Sequence, residues 1–406
     1  MDSMITAAAQ ALAAGDVLGA MKRVALRDDA PALALRGIAL AQLGDFERAK
    51  ALVKSAHRAF TSRETLARAR CTLAEAEIAL VSRDLGWPEK ALEMARQTLE
   101  RHGDGLNAAH ARNLQIRRLL LVGRLDEAEK LVAMLDPSPL PPAARASLEL
   151  TVVGIAIRRL KTKPARDALA RAATAADDAG IPALVAEVRN AAGILDAPAG
   201  REVVRGQERA LHLEDVEALL SSDALIVDAC RFAVRRGSRI VHLANRPVLF
   251  PLARALAEAA PDDVPRGLLL ARAFGARHTD ESHRARLRVE IGRLRAELEG
   301  LAAIEATKEG FVLVPVNGAA VAVLAPPIED ENGAVLALLA DGESWSSSAL
   351  SIALGISART VQRALETLLA SGKVESVGNG RARRWIITPA IGFPTTLLLP
   401  GPLPSD

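Results

Sequence analysis

The chain has 406 residues, of which half are hydrophobic and only 2% are aromatic, with no tyrosine. This length allows two to four domains, and their cores must be built from small and branched aliphatic side chains, which suit tightly packed helices. The formal net charge is only +3. Such a balance excludes a histone-like basic excess, so any nucleic-acid site must come from local clusters of arginine.

The cysteines and the N-terminal residues indicate the cellular compartment in which the protein is expected. Cys71 and Cys230 are the only cysteines and lie far apart in the sequence, so we expect neither a disulfide framework nor a thiolate metal site. The N-terminus has no basic segment ahead of its apolar residues, and the sequence contains no run of about 18 uncharged apolar residues. We therefore expect a cytoplasmic protein without a membrane segment. The excess of Ala and Arg over Lys is typical of a bacterium with a GC-rich genome.

Residues 1–195 show helical periodicity almost throughout, and small residues recur in it at matched places. Ala49, Ala91 and Ala128 are separated by 42 and then 37 residues, a period typical of stacked helical hairpins. Around Gly44, with an aromatic residue two positions later, the pattern resembles a tetratricopeptide repeat. The resemblance implies an interaction or sensing domain with no chemistry of its own. A generic helical bundle is the alternative.

Breaks in composition predict the domain boundaries. A small-residue break at 196–200 ends the helical region, and apolar residues then alternate around Arg236-Gly237, which predicts a short β-hairpin. A second break falls at 325–331. The predicted organisation is a repeat domain at 1–195, a linker at 196–223, a middle domain at 224–325, a C-terminal domain at 326–389 and a Pro-rich tail at 390–406.

The middle domain carries several landmarks in a fixed order. A strand pair around Gly237 precedes helical positions at 243–250 and 265–270, a long helix at 281–298 and a terminal hairpin at 304–313. This order resembles the OmpR/PhoB-type winged-helix domain of response regulators, with Phe311 where that family usually has tyrosine. The resemblance implies DNA binding. The helical N-terminal half lacks the strand-borne acidic cluster of a phosphate acceptor, so we expect control by something other than phosphorylation.

The long helix is the predicted DNA-contacting element of this domain. Leu287, Ile291, Leu294 and Leu298 recur at helical spacing and form one apolar stripe. Five arginines against three glutamates give the helix a local charge of +2, and its width fits the major groove of B-DNA. A solvated amphipathic helix held by Arg–Glu pairs is the alternative. The residues predicted to lie on the opposite face and to meet DNA are His283, Arg284, Arg288, Gly292 and Arg295.

The C-terminal domain has the sharper pattern. Helices predicted at 334–340 and 346–354 are followed by Gly355 in a tight turn and by Ser357, which is expected to cap a third helix at 358–370. This is the order of a helix-turn-helix. The residues predicted to contact DNA from the third helix and its start are Ser357, Arg359, Thr360, Gln362 and Arg363.

A Gly-rich basic turn between two predicted strands completes the C-terminal domain. The arrangement is similar to the wings of MarR, GntR and IclR winged helices. Glycines let such a tip approach a phosphate backbone, and Arg381, Arg383 and Arg384 are predicted to neutralise it. Trp385 is expected to anchor the returning strand in the core. A winged helix used for protein contact or dimerisation is the alternative.

Motifs of catalysis are missing from the sequence. It has no phosphate-binding loop, no dinucleotide-binding glycine pattern and no H-E-x-x-H, and its seven histidines do not pair at metal-ligand spacing. We therefore expect no enzyme, no cofactor and no metal.

The expected fold class is mainly α, with N-terminal α-helical hairpin repeats followed by two small α+β winged-helix domains. The function expected from these patterns is sequence-specific transcription regulation by a homodimer that binds double-stranded DNA. A protein, peptide or small ligand on the helical repeats would control it. The alternative is an interaction scaffold in which the repeats dock a partner and the winged helices mediate dimerisation.

Overall fold

The computed structural model describes residues 2–244, 246–274, 281–327, 332–339, 344–354, 356–378, 380 and 383–387. Helix predominates, at 63%, and the sheets are small, so the fold is mainly α as expected. Within these residues, no helix has the length and apolarity that a membrane crossing needs. Two compact units are present. The first comprises Met1–Arg159, Lys163–Ile194 and Asn332–Asp406, and the second comprises Leu160–Thr162 and Leu195–Glu331.

The first unit begins with a series of helices. Short loops join them. They are α1 (Ser3–Ala13), α2 (Val17–Val24), α3 (Ala30–Gln42), α4 (Phe46–Ala59), α5 (Thr65–Val81), α6 (Glu89–Arg101), α7 (Gly105–Leu121), α8 (Leu125–Ala133), α9 (Pro142–Arg158), α10 (Thr162–Ala179) and α11 (Pro182–Asp196). In this series α1 to α9 each pack on their neighbours in the chain, and the last three helices share an apolar core.

A residue in the left-handed conformation follows several helices of this series. Gly15, Gly44 and Gly123 follow the C-caps of α1, α3 and α7 with φ between 77° and 85°. Glycine is suited to this left-handed position because it has no Cβ. At the same place after α5 and α9 stand Arg83 and Leu160, with φ of 52° and 54°. A left-handed conformation costs an L-residue roughly 1–2 kcal/mol, so these two side chains need compensating contacts.

Small residues set the approach of the helices, as the sequence indicated. Ala49 in α4 and Ala128 in α8 are fully buried, whereas Ala91 is half-buried. A Cβ added to Gly37 in α3 would lie 2.6 Å from Val53 Cγ2 in α4. These two helices therefore pack at a distance that only glycine allows at the crossing.

Buried polar side chains join α5, α7 and α9. Glu77, which has no exposed surface, lies 3.0 Å from His110 Nε2. Asn113 Nδ2 donates to Ser147 Oγ at 3.0 Å, and its Oδ1 accepts from Thr151 Oγ1 at 3.0 Å. Because buried polar groups must find partners, these bonds fix the register of the three helices.

The C-terminal part of the first unit is a module of three helices and two strands. Trp345 forms a two-way backbone bridge with Trp385, with N–O distances of 2.9 and 2.8 Å. Both rings are fully buried, which confirms Trp385 as the anchor of its strand. The elements are α16 (Gly333–Leu339), α17 (Ser347–Leu354), α18 (Ala358–Ala370), β10 (Val374–Val377) and β11 (Arg384–Ile387).

This C-terminal module shares one apolar core with α5–α7. The core unites Leu73, Leu80 and Leu114 of the helical series with Val335, Leu339 and other residues of the module. The guanidinium of Arg83 lies over the Trp345 ring, 5.4 Å from its centroid. A cation above an indole face is attracted by the ring quadrupole. Arg83, one of the residues in the unfavourable left-handed conformation, thus contacts the C-terminal module directly.

The second unit combines a six-stranded sheet, a three-stranded sheet and four helices. Its strand order is β2-β1-β9-β3-β4-β5 in the larger sheet, with β3 and β9 parallel, and β6-β8-β7 in the smaller one. The elements are β1 (Gly200–Val204), β2 (Gln207–Leu211), α12 (Leu213–Ser221), β3 (Leu225–Asp228), β4 (Ala233–Arg236), β5 (Arg239–His242), α13 (Leu249–Ala259), β6 (Val264–Pro265), α14 (Arg266–Phe274), α15 (Glu281–Glu297), β7 (Ala302–Ala306), β8 (Gly310–Pro315) and β9 (Val321–Ala325).

The strand pair and helices of this unit agree with the sequence, but its beginning differs. The hairpin predicted around Arg236-Gly237 is β4–β5, with Arg236 opposite Arg239. The helix predicted from 243 begins later, at Leu249. Residues 196–223, which we had assigned to a linker, contain β1, β2 and α12. They belong to the larger sheet because β1 pairs with β9 on one side and with β2 on the other.

We predict that Arg83→Gly loosens the C-terminal module without destabilising α5. Glycine removes the cation from Trp345 but occupies the left-handed conformation freely, so the free energy of unfolding should change by no more than about 1 kcal/mol. Acrylamide quenching of tryptophan fluorescence should increase because Trp345 loses its cover. Arg83→Lys, which keeps the cation, is the matched control. Equal quenching in wild type and Arg83→Gly would contradict the assigned role of Arg83.

Candidate nucleic-acid interface

The two units contain a segment with the same order of elements. In the second unit α13, β6, α14 and α15 are followed by the β7–β8 hairpin, and β6 pairs with β8, the last strand. In the first unit α16, Trp345, α17 and α18 are followed by the β10–β11 hairpin, and Trp345 pairs within β11, again the last strand. In both, a short extended segment between the first two helices ties the hairpin to the helices.

Helix α18 presents an arginine pair to solvent. Val361, Leu365 and Leu368 are buried, and at 3.6 residues per turn Arg359 and Arg363 fall on the opposite side of the helix. Both arginines are exposed. Neither forms an ion pair with any residue that the structure describes. Two guanidinium groups one turn apart, without internal partners, form a cationic surface able to meet a polyanion.

The start of α18 is fixed by its own polar residues. Ser357 Oγ accepts the amide of Thr360 at 3.1 Å, as the sequence predicted, and the two hydroxyls lie 2.8 Å apart. Gln362 Nε2 donates to Glu366 at 3.0 Å, and its Oε1 accepts from Ser347 Oγ at 3.3 Å. Gln362 is therefore partly engaged in joining α17 and α18, while Ser357 and Thr360 stay at the exposed helix start.

The described basic residues of the β10–β11 hairpin, Arg383 and Arg384, are less exposed to solvent than the sequence predicted. Arg383 stacks on Trp385, 4.2 Å from the ring centroid, and donates to Ser376 Oγ at 3.1 Å. Arg384 is half-buried in β11. Arg381, like the turn residue Gly355, lies outside the described residues. The guanidinium of Arg383 therefore already has partners within the module.

Helix α15 has the predicted apolar stripe, since Leu287, Ile291, Leu294 and Leu298 are at most 1% exposed. The predicted residues Arg284, Arg288, Gly292 and Arg295 are all exposed, and the three arginines lie about a quarter of a turn from the stripe. Arg295 also has contacts within the domain, since it donates to the carbonyl of Ile304 at 2.7 Å and lies beside Phe311. It fastens the β7–β8 hairpin to the helix.

The remaining arginines of α15 divide into structural and candidate binding residues. Arg286 stacks on Phe274 at 4.6 Å, and Arg293 pairs with Glu290 at 2.9 Å. Arg284 and Arg288 are exposed and line a depression of about 470 Å3.

Sequence reasoning missed one residue of this depression. Arg266, the first residue of α14, lines it together with Arg284 and Arg288, and Glu309 is the one carboxylate in the lining. Three cations against one anion leave an excess of two positive charges. The sequence signal that could have identified Arg266 is its place directly after Pro265, at the start of a predicted helix.

His283 and Gly292 complete the predicted set on α15. His283 is half-buried and makes an interaction within the chain. Gly292 is exposed, and a Cβ added to it would meet no atom within 4 Å. Its presence in the middle of a helix, where it costs about 1 kcal/mol relative to alanine, therefore has no internal packing reason. Close approach of a nucleic-acid backbone to α15 would be a reason for glycine at this position.

The described residues contain no group of three or more His, Cys, Asp or Glu side chains arranged to hold a metal ion. Comparison of the chain with protein-family models, with curated proteins and with solved structures gives no match. The chemistry of this surface therefore has to be judged from its own residues. It offers exposed guanidinium groups on helices, which suit electrostatic and hydrogen-bond contacts with phosphates and base edges.

We predict that Gly292→Ala stabilises the protein by about 0.5–1 kcal/mol, because alanine is the better helix former and its Cβ is unobstructed. Thermal unfolding measures this gain. Gly193→Ala in α11 is a matched control, since its Cβ also meets no atom within 4 Å. If Gly292 serves close approach to DNA, only Gly292→Ala should weaken DNA binding despite its higher stability. Equal DNA binding by both variants would remove Gly292 from the interface.

Proposed function

We propose that this protein is a sequence-specific DNA-binding transcription regulator with two winged-helix domains, controlled through tetratricopeptide-like helical repeats. One observation carries the proposal. On α18, Arg359 and Arg363 are exposed, have no ion-pair partner among the described residues, and lie opposite the buried stripe of a capped helix. A recognition helix has this arrangement because its inner face must pack while its outer face reads base edges.

The order of elements supports both winged-helix assignments. A helix, a short strand, two helices and a hairpin whose last strand pairs with the short one occur at 249–315 and again at 333–387. We propose that α15 and α18 are the recognition helices. Arg284 and Arg288 would serve phosphate contacts beside α15, whereas Arg266 already donates to the carbonyls of Lys308 and Thr307 and lies over the Phe311 ring. The β10–β11 hairpin would be the wing of the second domain.

We expect the regulator to act as a homodimer in a bacterial cytoplasm. One winged helix makes few base contacts, and two-fold dimers that bind paired half-sites are the common way to reach specificity. We assign the helical repeats to effector binding.

We predict that Arg359→Ala and Arg363→Ala each weaken binding to the preferred DNA site by about 1–3 kcal/mol, the range for loss of a base contact. The site is first selected by the wild-type protein from a library of random duplexes. Fluorescence anisotropy with the selected duplex then gives the affinity of each variant at one stated salt concentration.

Arg58→Ala and Arg63→Ala are the matched controls, since both arginines are exposed on the helical series. They should bind the selected duplex like wild type. If Arg359→Ala and Arg363→Ala also bind like wild type, α18 does not read DNA. If the wild-type protein enriches no sequence at all, the proposal fails, and the scaffold alternative, in which these domains mediate dimerisation, takes its place.

We predict a dimer in solution, with and without DNA. Light scattering coupled to size-exclusion chromatography at micromolar concentration should give twice the mass of the chain without DNA, and that mass plus the mass of the duplex with DNA. A mass of one chain under both conditions would contradict the two-fold arrangement and would leave each protomer to bind DNA by its own two domains.

A further inference from the structure

A pocket of about 320 Å3 opens between helices α5 and α8 of the first unit. Small-molecule sites have volumes of roughly 300–1,000 Å3, so this pocket holds a compact ligand. Its wall is mainly apolar and includes Leu80, Leu85, Leu92, Leu114 and the indole of Trp87. An apolar wall with an aromatic side chain favours a hydrophobic ligand body.

The rim of the pocket carries equal numbers of acidic and basic side chains, but their pairing is unequal. Each of the four carboxylates already has a basic partner at 3.0 Å or less. The pairs are Asp84 with Lys50, Glu89 with Arg118, Glu93 with Arg96, and Glu127 with Arg124.

Two cations of the lining, Lys90 and Arg112, lack a close carboxylate among the described residues. Lys90 is exposed, whereas Arg112 on α7 is half-buried. Its side chain is 18% exposed, and its nearest carboxylate among the described residues is Glu93, at 4.0 Å. Arg112 Nη1 donates to Gln115 Oε1 at 3.2 Å. Burial, and secondly repulsion by Arg96, lowers the pKa of Arg112 below its ordinary value. A guanidinium has five N–H donors, so most of those on Arg112 remain for another acceptor.

We propose that this pocket binds a small monocarboxylate with an apolar body. The carboxylate pairs with Arg112, whose planar donors match it bidentately, and the body packs against Trp87 and the leucines. A neutral or cationic ligand would leave the half-buried guanidinium without a charged partner.

The site has a consequence for regulation, which rests on the function proposed above. Leu80, Leu85, Leu92 and Leu114 line the pocket and also belong to the core that holds Trp345 and the C-terminal module. A ligand that packs against these leucines therefore contacts the same apolar core on which α18 packs. We expect the bound carboxylate to change the affinity of the protein for DNA.

Binding is tested on the full chain without DNA, by calorimetry and by the fluorescence of Trp87. The probes are octanoate and 4-phenylbutyrate, with octan-1-ol and octylamine as the neutral and cationic counterparts of octanoate. Octanoate should bind at least about tenfold more tightly than octan-1-ol, because the charge-assisted hydrogen bonds to Arg112 are absent in the alcohol. Equal binding of octanoate and octan-1-ol, or no binding of either carboxylate at millimolar concentration, would overturn the proposal.

The role of Arg112 is tested by substitution. Arg112→Gln should lose about tenfold in octanoate affinity and bind octan-1-ol like wild type. Arg112→Lys keeps the charge but not the bidentate donors, so its octanoate affinity should lie between that of wild type and that of Arg112→Gln. This variant guards against a loss due to misfolding of Arg112→Gln. Arg117→Gln, on the same helix but outside the lining of this pocket, should bind octanoate like wild type. Unchanged octanoate affinity in a folded Arg112→Gln would refute the pairing.

The regulatory link is measured separately, as the affinity for the selected duplex with and without saturating octanoate. We expect a shift in wild type and none in Arg112→Gln. An unchanged DNA affinity in ligand-saturated wild type would overturn the link. Because the calorimetry contains no DNA, a failure of the DNA-binding function and a failure of the ligand site give distinguishable results.

Discussion

The position of the C-terminal module depends on the burial of Trp345. Its backbone is bonded to Trp385 in both directions, its ring is inaccessible to water, and Arg83 lies over the ring. In a chain with three tryptophans and no tyrosine, two tryptophans meet at this one bridge. A buried aromatic side chain contributes more apolar area than any aliphatic one. The small module is thereby fastened to α5–α7 by its largest side chains.

The contact with Trp345 explains why Arg83, and not glycine, occupies the left-handed position after α5. The other hairpins with a left-handed turn residue show that glycine fits this position, at Gly15, Gly44 and Gly123. An arginine there gives up roughly 1–2 kcal/mol of backbone energy. It regains energy through carbonyl hydrogen bonds, such as that from Nη1 to Leu80 O at 2.9 Å, and through the Trp345 ring. Strain that is held by specific contacts is typical of functional positions, and here the contact joins the helical series to the candidate DNA-binding module.

The sequence predicted the local elements well because their signals are local. The Ser357 cap, the buried stripe of α15 and the β4–β5 hairpin each follow from residues within a few positions of one another. Contacts between distant segments were not predictable in this way. The pairing of β1 with β9 joins residues more than 100 positions apart, so a segment that looked like a linker became part of a sheet. The core shared by α5–α7 and the C-terminal module joins segments farther apart still.

The same distinction applies to the candidate site. A sequence shows where arginines cluster but not which of them the fold already uses. Arg295 and Arg383 have internal partners and would have to give up hydrogen bonds to reach a phosphate, which offsets much of the gain. Among the described residues, Arg359 and Arg363 have no such bonds to break. If the protein binds DNA as proposed, their Coulombic and hydrogen-bonding capacity is available to it, and on a chain of net charge +3 that local placement, not the total charge, would decide where the polyanion binds.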